Sequence, residues 1–170
     1  LAHAMLVTLR GVPVVYSGDE QGFVGLGGDQ GARQDMWASQ TPSYRAEAHL
    51  GGGSGAMNSY DPAHPLYRAI ARLARLRHAT PALREGASVV RAAGDAPGLF
   101  AVSRFDPATG REVVLAFNTA TAPLEGRVEV EAASSRFATL AGACPATAAA
   151  PGTLALSLPP LSYAVCAAQP

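Results

Sequence analysis

Residues 1–23 read LAHAMLVTLRGVPVVYSGDEQGF. The apolar run Leu1, Ala2, Ala4, Met5, Leu6 and Leu9 has helical spacing and no capping residue ahead of it, so it reads as the back half of a helix. Gly11 is a stop signal. Val12 to Tyr16 is a short β-branched and aromatic run, read as a buried strand that ends at Ser17-Gly18. Helix, glycine, buried strand and polar loop form the repeating unit of an α/β protein. The chain opens midway through such a unit and without an initiator methionine, so it is expected to be the tail of a longer protein.

Outward from this stretch, residues 18–60 are rich in Gly, Ser, Asp and Gln and read as loop. A loop of that length inside a folded domain is more often functional than idle. Asp61-Pro62 then supplies an N-cap and a first-turn proline. Leu66, Ile70, Leu73 and Leu76 or Arg77 fall at helical spacing, with Arg68, Arg72 and Arg75 on the opposite side. The helix is expected to stop before Thr80-Pro81.

From about Ala82 the period becomes strand-like. Leu99–Phe105 and Glu112–Asn118 flank Asp106-Pro-Ala-Thr-Gly110, a hairpin signal. Further short strands are expected at 128–131, 137–140, 154–158 and 162–166. Such closely spaced strands imply an antiparallel sandwich of roughly 80 to 90 residues. The fold class is therefore α/β followed by all-β, with a boundary between residues 81 and 82. Residues 141–152 are low in complexity and read as a surface loop.

Composition limits the partners. Hydrophobic residues make up 48% and charged residues 15%, enough apolar material for a core and too little charge for disorder. The formal net charge is zero, so nothing marks a nucleic-acid or anionic-membrane surface. No apolar run reaches transmembrane length. Cys144 and Cys166 either pair, which favours an exported protein (secreted or periplasmic), or stay as two buried thiols.

Asp19 and Glu20 follow the expected strand, at the edge where α/β barrels carry their functional loops. Adjacent residues leaving a strand point to opposite sides, so the two carboxylates cannot face one bond or one metal. Either one touches a ligand at the rim with Gly18, or Glu20 satisfies loop amides or pairs with an arginine such as Arg33. The glycines at 25, 27, 28 and 31 lack the dinucleotide spacing. The histidines at 3, 49, 64 and 78 show no metal-ligand spacing, so no metal and no cofactor are expected. Trp37 follows Arg33, Gln34, Asp35 and Met36. An aromatic ring beside amide and carboxylate groups suits a sugar, stacking on its apolar face and fixing its hydroxyls; the same ring could instead anchor the loop.

Taken together, these residues resemble a family. GVPVVYSGDEQGF, residues 11–23, is similar to the eighth-strand segment of the α-amylase superfamily, glycoside hydrolase family 13, whose Gly-x-Pro-x-x-Tyr-x-Gly-x-Glu is matched by Gly11, Pro13, Tyr16, Gly18 and Glu20. LAHAMLVTLR resembles the end of the family's seventh barrel helix, and ARQDMWAS, residues 32–39, its loop after the eighth strand. Residues 61–86 look like the last barrel helix, and the remainder resembles the family's C-terminal β-sandwich, including the final LPPLSYAV. One departure is clear: where many members have Arg-x-Pro-Met-x-Trp, this chain reads Arg33-Gln-Asp-Met-Trp37.

The resemblance implies the end of a TIM (β/α)8 barrel over residues 1–81 and a β-sandwich over 82–170. It implies a retaining enzyme of α-glucosidic bonds, hydrolase or transglycosidase, using two carboxyl groups about 5 to 5.5 Å apart. Those groups lie on earlier strands, so no residue here is assigned a catalytic role and this chain alone is expected to be inactive. Arg33, Asp35 and Trp37 are the expected contacts to a starch-like glucan or oligosaccharide, bound through the intact parent. The competing expectations are a non-catalytic β-sandwich that grips polysaccharide or a partner, and an inactive gene remnant.

Overall fold

The strand β3, Glu112–Asn118, is buried at every position. Its apolar residues occupy both parities, so both of its faces must be covered. In the computed structural model, which describes residues 1–170, β3 is the middle of a five-stranded antiparallel sheet. The order is β1 (Ala87–Ala92), β2 (Leu99–Phe105), β3, β7 (Tyr163–Ala168) and β5 (Phe137–Ala141). The strands β4 (Leu124–Glu129) and β6 (Thr153–Leu158) pair as a separate two-stranded sheet.

One face of β3 turns toward that smaller sheet. Ala101, Val114, Ala116, Ala164 and Cys166 share a buried cluster with Val128, Leu154, Leu156 and Leu158. Leu154, Leu156 and Leu158 alternate with exposed residues along β6, the period-2 pattern of a strand buried on one side. Asn118 ends β3 and is fully buried. Its side-chain amide donates to the carbonyls of Ala122, Leu158 and Pro159, which fixes the chain ends on either side of the cluster.

The opposite face of the sheet meets helices. The short helix α4 (Pro81–Glu85) packs against β2 and β3 and buries Ala82 and Leu83, and Ala4 and Val7 of α1 (Ala2–Thr8) are buried as well. Arg104 on β2 is only 1% exposed, and its guanidinium donates to the carbonyls of Thr8 and Gly86. The last carbonyls of a helix have no partner within it. Arg77, near the end of α3 (Pro65–Ala79), donates to the carbonyls of Val7, Leu9 and Gly11. Two arginines thus complete the C-terminal end of α1, where positive charge is favoured.

The β2–β3 hairpin turns as the sequence implies. The Asp106 carboxylate accepts from the amides of Ala108 and Thr109, and Gly110 takes a φ of +70°. Cys144 and Cys166 are joined by a disulfide.

The contacts divide the chain into two compact units, one of Leu1–Val12 with Arg75–Pro170 and one of Pro13–Ala74. The chain crosses between these two units at 12/13 and 74/75. Arg104 on β2 and Arg77 on α3 both donate to the end of α1, which holds Leu1–Val12 in the unit that contains the sheet. The Pro13–Ala74 unit is mostly loop, with a 3-10 turn at Asp19–Gln21, the short helix α2 (Pro42–Ala46) and the part of α3 up to Ala74.

Other expectations need correction. Residues 12–16 form no strand, and Val12 and Val14 are 89% and 72% exposed. A strand exists through the backbone groups of its neighbours, and no strand of this chain pairs with this segment. The second long helix begins at Pro65 rather than at Asp61, which instead closes a turn onto the amides of Ala63 and His64. His64 Nδ1 accepts from the Leu66 amide and so takes the capping part. The helix α4 and the strand β1 were not expected. Residues 81–85 are too short to show a period, and Ser88, Val89 and Val90 are exposed, so β1 has no alternation to read.

Candidate functional site

The turn at Gly18–Gln21 closes on itself. Gly18 sits at φ +101°, and a Cβ there would lie 2.9 Å from the Phe23 ring, so only glycine fits. The carboxylate of Asp19 accepts from the Tyr16 amide at 3.3 Å, and that of Glu20 from the Gly18 amide at 3.1 Å. Glu20 therefore satisfies a loop amide. Arg33 pairs with Asp29 at 2.7 Å and not with Glu20, with both side chains more than half exposed.

The next segment is held from behind. The Ser17 hydroxyl donates to Met36 Sδ, and the Met36 carbonyl accepts from the Ser59 amide at 2.7 Å. The Ala38 amide donates to Asn58 Oδ1, and the Ser39 amide to the Gly55 carbonyl. Trp37 lies between these anchored residues and is 57% exposed. The backbone, not the ring, fixes the loop. Asp35 is exposed on the same segment. Arg33, Asp35 and Trp37 thus stand together on one pinned loop. A shallow cleft of about 490 Å³ opens beside Glu20, between Val15, Tyr16 and Ser17 and the Tyr67, Ile70 and Ala71 face of α3.

One organising residue went unread in the sequence. Glu47 is 6% exposed, and its carboxylate accepts from the successive amides of Val24, Gly25 and Leu26 at 3.0–3.2 Å. Burial pushes its pKa up, but these amides and Gln34 outweigh burial and hold it below the usual carboxylate range. A lone glutamate in a loop gives no signal of that role. With a lowered folded pKa, its contribution is full at neutral pH and is lost only as acid carries the pH down through the lowered value. Glu47→Gln is expected to weaken protection of the 24–26 amides in hydrogen exchange by about 2 kcal/mol, and acid is expected to do the same to the wild-type chain. Unchanged protection in the variant would assign the order of this loop to other groups.

No protein-family model matches the chain. Over 121 residues, 71% of this chain, the sequence is 50% identical to an α-amylase of Streptomyces lividans, of which it spans 13%. The native form of the Nostoc punctiforme debranching enzyme superposes with a TM-score of 0.66 at 23% identity, over 96% of this chain and 29% of that one. The α-amylase from H. orenii superposes with a TM-score of 0.65 at 17% identity, over 99% of this chain and 34% of that one. The antiparallel, mostly-sheet fold is that of the C-terminal domains of glycoside hydrolase family 13 enzymes. The chain belongs to the α-amylase-type proteins of that family and spans about a third or less of the length of the relatives it matches.

Proposed function

We propose that these residues close a (β/α)8 barrel and supply the β-sandwich after it, in a retaining enzyme that hydrolyses or transfers α-glucosidic bonds of starch-like chains. The 50% identity to an α-amylase carries this reading. In it, residues 12–16 are the eighth barrel strand, and their exposed valines face neighbouring strands of the intact protein. The catalytic carboxylates come from residues outside these 170. In support, Asp19 and Glu20 are each bound to an amide of their own turn.

The loop from Asp29 to Trp37 contacts the glucan at the barrel rim. The exposed ring of Trp37 stacks on a sugar face, and Arg33 and Asp35 bond to hydroxyls. Trp37→Ala in the intact gene product is expected to raise KM for maltooligosaccharides about threefold to tenfold with kcat unchanged, the mark of lost uniform binding. An unchanged KM would remove Trp37 from the site.

The competing reading, a sheet domain that grips polysaccharide by itself, has no aromatic platform to use. Phe100, Phe117 and Tyr163 stack on one another at 5.9 and 6.5 Å, with Phe117 fully buried. The disulfide supports an exported protein, because such bonds persist in oxidising compartments.

A further inference from the structure

Gln21 ends the 3-10 turn Asp19–Gln21 and is 4% exposed. Its side chain reaches the backbone of Asp61, 40 positions away. The Nε2 group donates to the Asp61 carbonyl and Oε1 accepts from the Asp61 amide, both at 3.0 Å. The pairing fixes which way the side-chain amide points, because a backbone N–H only donates and a carbonyl only accepts. Among side chains of this length, only glutamine presents a donor and an acceptor side by side without charge at neutral pH. Because Gln21 is buried, a group that lost its partner here would stay out of water.

The residues just before Asp61 carry the Trp37 segment. The Ser59 amide donates to the Met36 carbonyl at 2.7 Å, and Asn58 Oδ1 accepts from the Ala38 amide at 3.0 Å. Trp37 is thus bracketed by bonds to two residues that lie two and three positions from the clamped Asp61. The turn on the other side of the clamp is firm. The Gln21 amide donates to the Gly18 carbonyl at 2.9 Å, and the Gly22 carbonyl accepts from the Leu50 amide at 2.7 Å. A second tie from the same turn, the Ser17 hydroxyl to Met36 Sδ, is exposed and ends on a weak acceptor. Asp61 also takes the amides of Ala63 and His64, but these belong to its own following turn and set no distance to Trp37.

We propose that Gln21 is a positioning residue for Trp37. Its two bonds to Asp61 hold residues 58–61 to the Asp19–Gln21 turn, and through them the backbone on either side of the ring. A segment ordered in advance loses less freedom when a ligand meets it, so the clamp favours binding without touching the ligand. That Trp37 meets the glucan rests on the proposed function; the clamp itself does not.

Trp37 is the only tryptophan, so fluorescence anisotropy reports this segment alone. In the 170-residue chain, Gln21→Leu loses both bonds. It is expected to lower the Trp37 anisotropy and to speed amide exchange at Ala38 and Ser59 about tenfold, with the amides of β3 unchanged. Gln21→Glu keeps the shape and covers the case in which the leucine variant fails to fold. Its carboxylate accepts from the Asp61 amide but has no donor for the Asp61 carbonyl, and protonation restores that donor. Its anisotropy is expected to lie below the wild type at pH 7 and to climb toward it as the pH falls to about 5, a profile the wild-type chain lacks. In the intact gene product, Gln21→Leu is expected to raise KM for maltooligosaccharides about threefold with kcat unchanged, and to add nothing once Trp37 is alanine, since it acts through that residue. Wild-type anisotropy and exchange in Gln21→Leu, or a Gln21→Glu chain with no pH response, would overturn the proposal. So would KM losses that add in the double variant. A loosened Trp37 with unchanged KM would sink the glucan role of Trp37 alone; an unmoved Trp37 in an enzyme whose KM responds to Trp37→Ala would sink the clamp alone.

Discussion

Arg104→Ala is expected to cost the sheet unit about 3–5 kcal/mol in urea unfolding of the 170-residue chain. Arg104 is nearly fully buried, and its two hydrogen bonds end on the carbonyls of Thr8 and Gly86 rather than on a carboxylate. Removing it strands two acceptors and leaves a cavity between β2 and α1. The charge itself is poorly placed: burial, then the guanidiniums of Arg77 and Arg10, hold its pKa below the usual arginine value. A side chain of similar length without charge removes that penalty and fills the space. Arg104→Met is therefore expected to recover at least half of the loss. A loss of less than about 1 kcal/mol in the alanine variant, the scale of an ordinary substitution, would mean that α1 is not held to the sheet by this residue. Equal losses in the two variants would assign the effect to the stranded carbonyls rather than to volume.

Opening the disulfide is expected to cost roughly 3 kcal/mol, because Cys144 and Cys166 close a loop with a sequence separation of 22. On a domain of this size that lowers Tm by roughly 6–12 °C. The cost falls on one edge of the sheet. Among the strands β5 pairs only with β7, with Thr139 opposite Cys166, and the loop from 142 to 152 is otherwise held to residues 135–139 by hydrogen bonds such as Phe137 N–H to Ala146 and Ala148 N–H to Ser135. Cys144→Ser with Cys166→Ala, melted beside the wild-type chain with and without reductant, checks this. The wild-type chain should fall to the double variant's Tm when reduced. A Tm that ignores both the mutations and the reductant would show that β5 and its loop are held by packing alone.

What could be read in advance follows where the physical signal is local. The β2–β3 hairpin was legible to the residue at both strands, because the two apolar runs and the Asp-Pro-Ala-Thr-Gly turn act within a dozen residues. The end of α3 at Ala79 was legible from Thr80-Pro81 for the same reason. The segment Val12–Tyr16 has strand composition, yet it is exposed and unpaired here, since pairing depends on partners and not on propensity. The helix α1 joins the sheet's unit through Arg77 on α3 and Arg104 on β2, contacts spanning 66 to 96 positions that no local pattern carries.

The site divides in the same way. Arg33, Asp35 and Trp37 were proposed from residue type in a short loop, and all three are exposed on one anchored segment. The family's sequence motif led to Gly18 and Glu20, and the backbone at Gly18 explains why glycine stands there. Glu47 gave no signal, because its role comes from three amides twenty-odd residues away.

The most direct measurement of the central claim is the action of the intact native gene product on soluble starch, with its mass and the anomeric form of the released sugar. The account predicts a product about three times the mass of these 170 residues that releases the α-anomer, the retained configuration, while the 170-residue chain alone releases nothing. A native product of 17.4 kDa, or a longer one that leaves α-glucosidic bonds intact, would contradict it.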